Sequence, residues 1–476
     1  MIDSRGMKRT HLAAVALLAL AGFLGLRLHA LFAAASGMNA KVLCSAVFVS
    51  GRSLEEARAN SLRVAPPAMS VRLDEERREV RVEVAGLMRR TARHYGDQGC
   101  VALPRGVDEV AFVPREVRSA LPDSRTQAWP MGDGDDRRPG APAAGIDAGK
   151  LAEAVELAFA DPGDHTAAFL VVHRGRIAAE RYAPGIDRDT QLESWSMGKS
   201  LTATLIGRLV QEGFLSLDAP APISEWQSPG DPRGKITVVD LLRMSSGLDF
   251  SGASESLVHT LFFGVPDHLR IYTGIEDVFR FALASPSEHP PGRVGRYRNC
   301  DPLALGAIVR RTVEAGGEEY LSWPHRALFD RIGIRRQILE TDVRGNFILT
   351  GFDYGTARNW ARLGLLYLRD GIWNGERLLP EGFARFVATP APAWEEPVYG
   401  GSFWINGTGR YLLPRDAFYM SGNGVQRVFV VPSHDLVIVR MGHTRGGASA
   451  DAELPPHSRS SWRRSGRRKV QARIRS

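Results

Sequence analysis

Only three cysteines, Cys44, Cys100 and Cys300, occur in 476 residues. That is too few for a disulfide-built scaffold, so the fold must rest on a hydrophobic core, which 44% hydrophobic residues can supply. No Cys-x-x-Cys is present, and the twelve histidines show no His-Glu-x-x-His or comparable spacing. Neither a metal site nor any other cofactor is therefore expected. Between Ala30 and Gly446 there is no basic stripe interleaved with aromatics and no zinc-finger spacing. The net charge of +8 is concentrated in the tail, where eight Lys and Arg follow Gly447 against Asp451 and Glu453. Nucleic acid is thus not an expected partner. Internal repeats are absent, which excludes solenoids and propellers.

What is present begins at the N-terminus. Arg5, Lys8 and Arg9 precede an apolar run over 12–26, and Ala33, Ala34 and Ala35 offer a small-residue cleavage site. Residues 1–36 therefore read as a signal peptide or as an N-terminal membrane anchor; a helix over 12–35 would be long enough to span if Arg27 and His29 snorkel. Either form exports the chain, to the periplasm or to the outer face of the membrane that anchors it, and makes membrane association through this segment possible. In an oxidising compartment Cys44 and Cys100 could pair, leaving Cys300 single and buried.

Composition divides the rest. Residues 37–122 form a small accessory region with a helix over 53–62 and a strand-like alternation over 79–84. Residues 123–145, rich in Gly, Pro, Asp and Arg, read as a linker. The main domain covers 146–446: a helix over 146–159, a hairpin over 168–182, a mostly helical lobe over 192–379, and a second hairpin over 427–441. Its continuous apolar runs predict strands buried on both faces. Pairing of the two hairpins gives an α/β (α+β) fold, with an antiparallel sheet built from both chain ends, flanked by helices, and a helical lobe inserted. Residues 447–476 are a basic tail expected to be disordered.

Chemistry is first suggested at Ser196-Met197-Gly198-Lys199-Ser200. A phosphate-binding loop is excluded: Glu193 stands where that motif needs its first glycine, and no buried strand leads in. The serine-lysine spacing survives. Residues 196–211 read as a helix, so Ser196 and Lys199, three apart, share one face of its first turn. Serine needs a base to attack, and lysine can serve only when neutral. With a reference pKa of about 10.4, a free lysine lies about 4.6 kcal/mol from that state at pH 7. Burial must offset much of this.

Two later motifs add to it. Tyr297-Arg298-Asn299 follows a Pro/Gly-rich loop, and from there a phenol can relay a proton while an amide orients a carbonyl or the lysine. Ser421-Gly422-Asn423-Gly424 precedes the strand over 427–431; glycine at a strand edge admits a substrate backbone, and an exposed N–H there can complete an oxyanion hole.

In this order and spacing the three motifs resemble the serine β-lactamase and penicillin-binding-protein superfamily, specifically its class C β-lactamase-like hydrolases, which include DD-peptidases, esterases and 6-aminohexanoate-dimer hydrolases. Residues 241–248 are similar to that family's segment after the active-site helix. The resemblance implies Ser196 as acylated nucleophile, Lys199 as proton acceptor, Tyr297 as general base or relay, Asn299 as a substrate-positioning group, and an oxyanion hole from the N–H groups of Ser196 and Asn423 beside Gly422. The substrate is a small-molecule ester or amide, and no cofactor is implied. Met420-Ser421-Gly422 lacks the cation that relatives place before the last glycine, which points toward a neutral substrate. A catalytically silent envelope binding protein, and a β-lactamase or DD-peptidase, stay open as alternatives. Residues 450–476 lack the apolar periodicity of the closing helix found in relatives.

Overall fold

A computed structural model describes residues 4–62, 65–66, 68–134, 145–252, 260 and 262–445. The basic tail and the question of a closing helix therefore lie outside the described residues, as does 135–144 of the expected linker.

The chain opens with one unbroken helix, Ser4–Phe48. No proline interrupts it, and its two halves face different surroundings. Leu12, Leu17, Leu18 and Leu26 are exposed, whereas Ala40, Leu43, Cys44 and Ala46 are buried. The expected boundary at 36 thus has no counterpart in the backbone; what changes there is burial. The buried half packs on an antiparallel meander of β1 (Met69–Asp74), β2 (Glu79–Val84), β3 (Met88–His94) and β4 (Cys100–Leu103). A Cys44–Cys100 disulfide ties the helix to β4, and Cys300 is a free, buried thiol.

The accessory region is not separate from the main domain. One hydrophobic core holds Leu43, Val80 and Val82 together with Trp195, Leu205 and Phe352. Lys41 Nζ on the N-terminal helix reaches Glu340 Oε2 at 2.7 Å with both side chains fully buried. The described part of the expected linker is also structural. Trp129 is buried, and Asp133 accepts from Arg362 at 2.7 Å and Arg358 at 3.3 Å. A polar composition marks a linker only when its polar groups meet water; here they meet buried arginines.

The main sheet joins both ends of the domain. It contains β5 (Thr166–His173) and β6 (Arg176–Tyr182) from one end. Three short strands in the lobe, β7 (Leu192–Glu193), β8 (Ile338–Leu339) and β9 (Asp353–Gly355), make a separate sheet, and β10 (Ile372–Trp373) pairs with β11 (Glu376–Arg377). From the other end come β12 (Trp404–Ile405), β13 (Phe418–Gly422), β14 (Gln426–Val431) and β15 (Leu436–Gly442). The sheet order is β12-β13-β14-β15-β5-β6, and Val439 pairs with Leu170 where the two hairpins meet. β14 is buried on both faces almost throughout, as expected. β15 instead alternates, with Leu436, Ile438 and Arg440 only half-buried. The helix Ala357–Leu368 covers one face, and Gly364 lets it sit against Val437.

Candidate active site

The site forms where β13, the edge of the lobe and the helix Gly198–Gln211 converge. β7 feeds directly into a 3-10 turn, Trp195–Met197, and the α-helix begins only at Gly198. Ser196 is therefore on a tight turn just before the helix rather than in its first turn, and it is half-buried. Trp195 has φ +49°, a conformation that a bulky residue adopts at a cost of about 1–3 kcal/mol. Its surroundings hold it there: the indole Nε1 donates to Thr444 Oγ1 at 2.8 Å, and the ring packs on Tyr272 and Phe352. Glu193, the residue that excludes a phosphate loop, has its own task, accepting from Thr444 N and Oγ1, both at 3.0 Å.

Lys199 is 1% exposed. Its Nζ lies 3.0 Å from Ser196 Oγ, donates to Thr350 O at 3.0 Å, and sits 4.8 Å from the centroid of the Tyr297 ring. Burial pushes the ammonium well below its ordinary range, against the opposing pull of the Asp353 carboxylate. This supplies in structure what the spacing alone could not, an amine shifted toward its neutral form within reach of a hydroxyl. Tyr297 goes the other way: burial raises its phenol, partly offset by a hydrogen bond with Ser196 and by the charge of Arg427. It stays a neutral phenol at pH 7, suited to donating and relaying a proton rather than to acting as a phenolate base.

Asn299 is one layer back. It is fully buried, and its Nδ2 donates to His268 O at 2.9 Å and to Tyr272 Oη at 3.1 Å. Tyr272 Oη donates to Thr350 O at 2.9 Å, the same carbonyl that Lys199 uses. Asn299 is thus linked to the lysine through Tyr272 and Thr350, and only its Oδ1 lacks a hydrogen-bond partner among the described residues. Of the two expected roles of its amide, orienting a carbonyl or orienting the lysine, these bonds fit the second, since the NH2 group is spent inside the protein.

Gly422 ends β13 beside the serine turn. A Cβ there would overlap Ser194 O and press on Gln426. Gly422→Ala is therefore expected to push β13 off the turn and lower turnover by about 100-fold, the cost of misplacing a reacting group by roughly 1 Å; steady-state kinetics on an activated ester checks it. Asn423 follows, half-buried, at the hairpin tip. No cation stands at Met420, and the nearest strand neighbour of Ser421 is a cation already bonded within the protein. Arg427 pairs across from Ser421, and its Nη1 donates to Gln426 O at 2.6 Å and Gly422 O at 3.3 Å.

Besides Arg427, three groups escaped the sequence reading. His268 lies on the four-residue helix Asp267–Arg270 and Tyr272 just past its end, a stretch too short for periodicity to mark them. Asp353, on β9, accepts from Ser194 Oγ, and burial raises its carboxyl to about 7. Its negative charge raises the Lys199 pKa. Asp353→Asn is expected to lower that pKa further, moving the acid limb of the kcat/KM profile to lower pH; a pH–rate comparison of the two proteins reads the shift directly.

Ser196, Lys199 and Tyr297 thus cluster at a helix start beside an antiparallel sheet drawn from both ends of the domain. A family model described as Beta-lactamase matches residues 153–460. The chain belongs to the beta-lactamase family, a family of hydrolases. It is similar to a 6-aminohexanoate-dimer hydrolase of Paenarthrobacter ureafaciens, 26% identical over 298 residues, covering 58% of this chain and 72% of that protein. A solved structure from Bacillus anthracis, provisionally assigned as a 6-aminohexanoate-dimer hydrolase, is 21% identical with a TM-score of 0.50, covering 71% of this chain and 84% of that one. A penicillin-binding protein homologue from Caulobacter crescentus is 18% identical with a TM-score of 0.49, covering 64% and 97%.

Proposed function

We propose that the protein is a serine hydrolase that cleaves an ester or amide through an acyl-enzyme. Lys199 takes the proton of Ser196 as its Oγ attacks the carbonyl carbon. The tetrahedral oxyanion is held by the N–H groups of Ser196 and Asn423, and one such donor is typically worth about 3 kcal/mol. Tyr297, a neutral phenol bonded to Ser196, relays that proton from the Lys199 ammonium to the leaving group, whose departure leaves the acyl-serine, a neutral amine and a neutral phenol. Water, activated by the same amine and phenol, then releases the acid.

The observation that carries this reading is the buried Lys199 amine 3.0 Å from Ser196 Oγ. A neutral small-molecule substrate fits the site better than a carboxylate-bearing one, because Arg427 is engaged by two backbone carbonyls. The N-terminal helix supports export, and its exposed apolar half running without a break into the core supports an anchor that keeps the domain at the membrane surface. A fluorophosphonate probe is expected to label the wild type and not Ser196→Ala. Labelling of both would put the nucleophile elsewhere, and labelling of neither would favour the silent binding protein.

A further inference from the structure

A strongly basic cavity of about 280 Å³ lies on the β1–β4 sheet, well apart from the serine. Its walls include Arg81, Arg89, Arg90, Arg93 and Arg105, with the buried Glu79 among them. Most of these charges are matched. Glu79 is shared by Arg77, Arg81 and Arg93, Arg93 also reaches Glu109, and Arg89 pairs with Glu83. Arg90 and Arg105 are different. Neither has a carboxylate partner among the described residues; Arg90 donates to Arg89 O at 2.8 Å. Burial and the like charge of Arg105 together press the Arg90 guanidinium below its ordinary range. Both line the same cavity, where like charges without a counter-charge favour an anion, and their planar forks suit a phosphate.

The position of the cavity narrows the choice of anion. β3 starts at Met88, whose carbonyl accepts from Ser36 Oγ at 2.7 Å, and Ser36 is where the N-terminal helix passes from exposed to buried. From Leu28, the last exposed leucine of the helix, to Ser36 the rise is about 12 Å. An arginine at that level reaches the headgroup layer of a bilayer that takes the apolar half of the helix. Apolar groups sit at the same end of the molecule. Leu87, on the turn into β3, is 77% exposed, and Phe262 and Phe263 are exposed with Phe262 against Phe23 of the helix.

We propose that Arg90 and Arg105 hold the phosphate of an anionic phospholipid in the membrane that the N-terminal helix enters, which rests on the anchor reading above. The site fixes the orientation of the hydrolase domain on the bilayer, a task that a single helix cannot perform because it leaves rotation about its own axis free.

The full chain reconstituted in nanodiscs of mixed phosphatidylcholine and phosphatidylglycerol tests this by native mass spectrometry of the released protein. Wild type is expected to retain phosphatidylglycerol over phosphatidylcholine. Arg90→Gln/Arg105→Gln is expected to lose that preference roughly tenfold while staying in the nanodisc. Arg105→Glu, an exposed loop position whose change leaves the core intact, should show the same loss. Equal retention of the two lipids by wild type, or an unchanged preference in the variants, overturns the proposal. Displacement of the lipid by millimolar glycerol 1-phosphate overturns its source, making a soluble phosphate ester the ligand. Failure of the wild type to enter nanodiscs overturns the anchor, and the lipid site with it.

Discussion

Lys199→Met is expected to lower kcat/KM toward an activated ester by about 1,000-fold or more while leaving thermal stability nearly unchanged. The two effects separate because of where the amine sits. Lys199 is buried beside Ser196 and Thr350 O, so its polar head is costly to hold in the core, and a thioether of similar length removes that cost while filling the same space. What is lost is the group that accepts the serine proton, and nucleophile–base pairs act as a unit. Lys199→Arg should not rescue activity, since a guanidinium cannot become neutral in a protein. Steady-state kinetics with a p-nitrophenyl ester, paired with calorimetry, measures both. Full activity in the methionine variant would remove Lys199 from the chemistry.

Glu340→Ala has the largest expected effect on stability, a loss of about 3–5 kcal/mol, the usual consequence of removing one partner from a fully buried ion pair. Glu340 accepts from Lys41 Nζ and Ser45 Oγ at 2.7 Å each and from Cys100 N at 2.8 Å. All three donors lie in the N-terminal region, so this carboxylate joins the helix and its disulfide partner to the catalytic lobe. Its removal leaves the buried Lys41 ammonium with the Cys100 carbonyl but without its paired carboxylate. Lys41 also lies 4.5 Å from the centroid of the Phe352 ring, which packs on Trp195 and Tyr272. The variant should therefore lose activity as well as stability. Lys41→Met/Glu340→Leu should recover much of the stability, because an apolar pair leaves no buried charge. Urea unfolding of the three proteins tests the ordering.

Much of the architecture was legible in the sequence because it depends on local patterns. Alternating and continuous apolar runs gave β5, β6, β14 and β15 within one or two residues, and their pairing followed from needing a common sheet. The Ser196–Lys199 spacing survived a shift from α-helical to 3-10 geometry because three residues separate neighbours in both. The surroundings of Asn299 were not legible for the opposite reason: its partners are His268 and Tyr272, about thirty residues earlier, which no spacing rule connects to it. The fusion of the accessory region to the lobe rests on a shared core and on buried pairs such as Lys41 and Glu340, 299 residues apart, and contacts at that separation leave no periodic trace. Arg427 was overlooked because a strand neighbour, rather than a chain neighbour, brings it opposite Ser421.

The central claim is that Ser196 becomes acylated. Wild-type protein mixed with p-nitrophenyl acetate, quenched within the first turnover, digested and mapped by mass spectrometry, is predicted to carry one acetyl group on the peptide containing Ser196, at a yield matching the burst of p-nitrophenol. An acetyl group on another residue, or a burst that persists in Ser196→Ala, would contradict it.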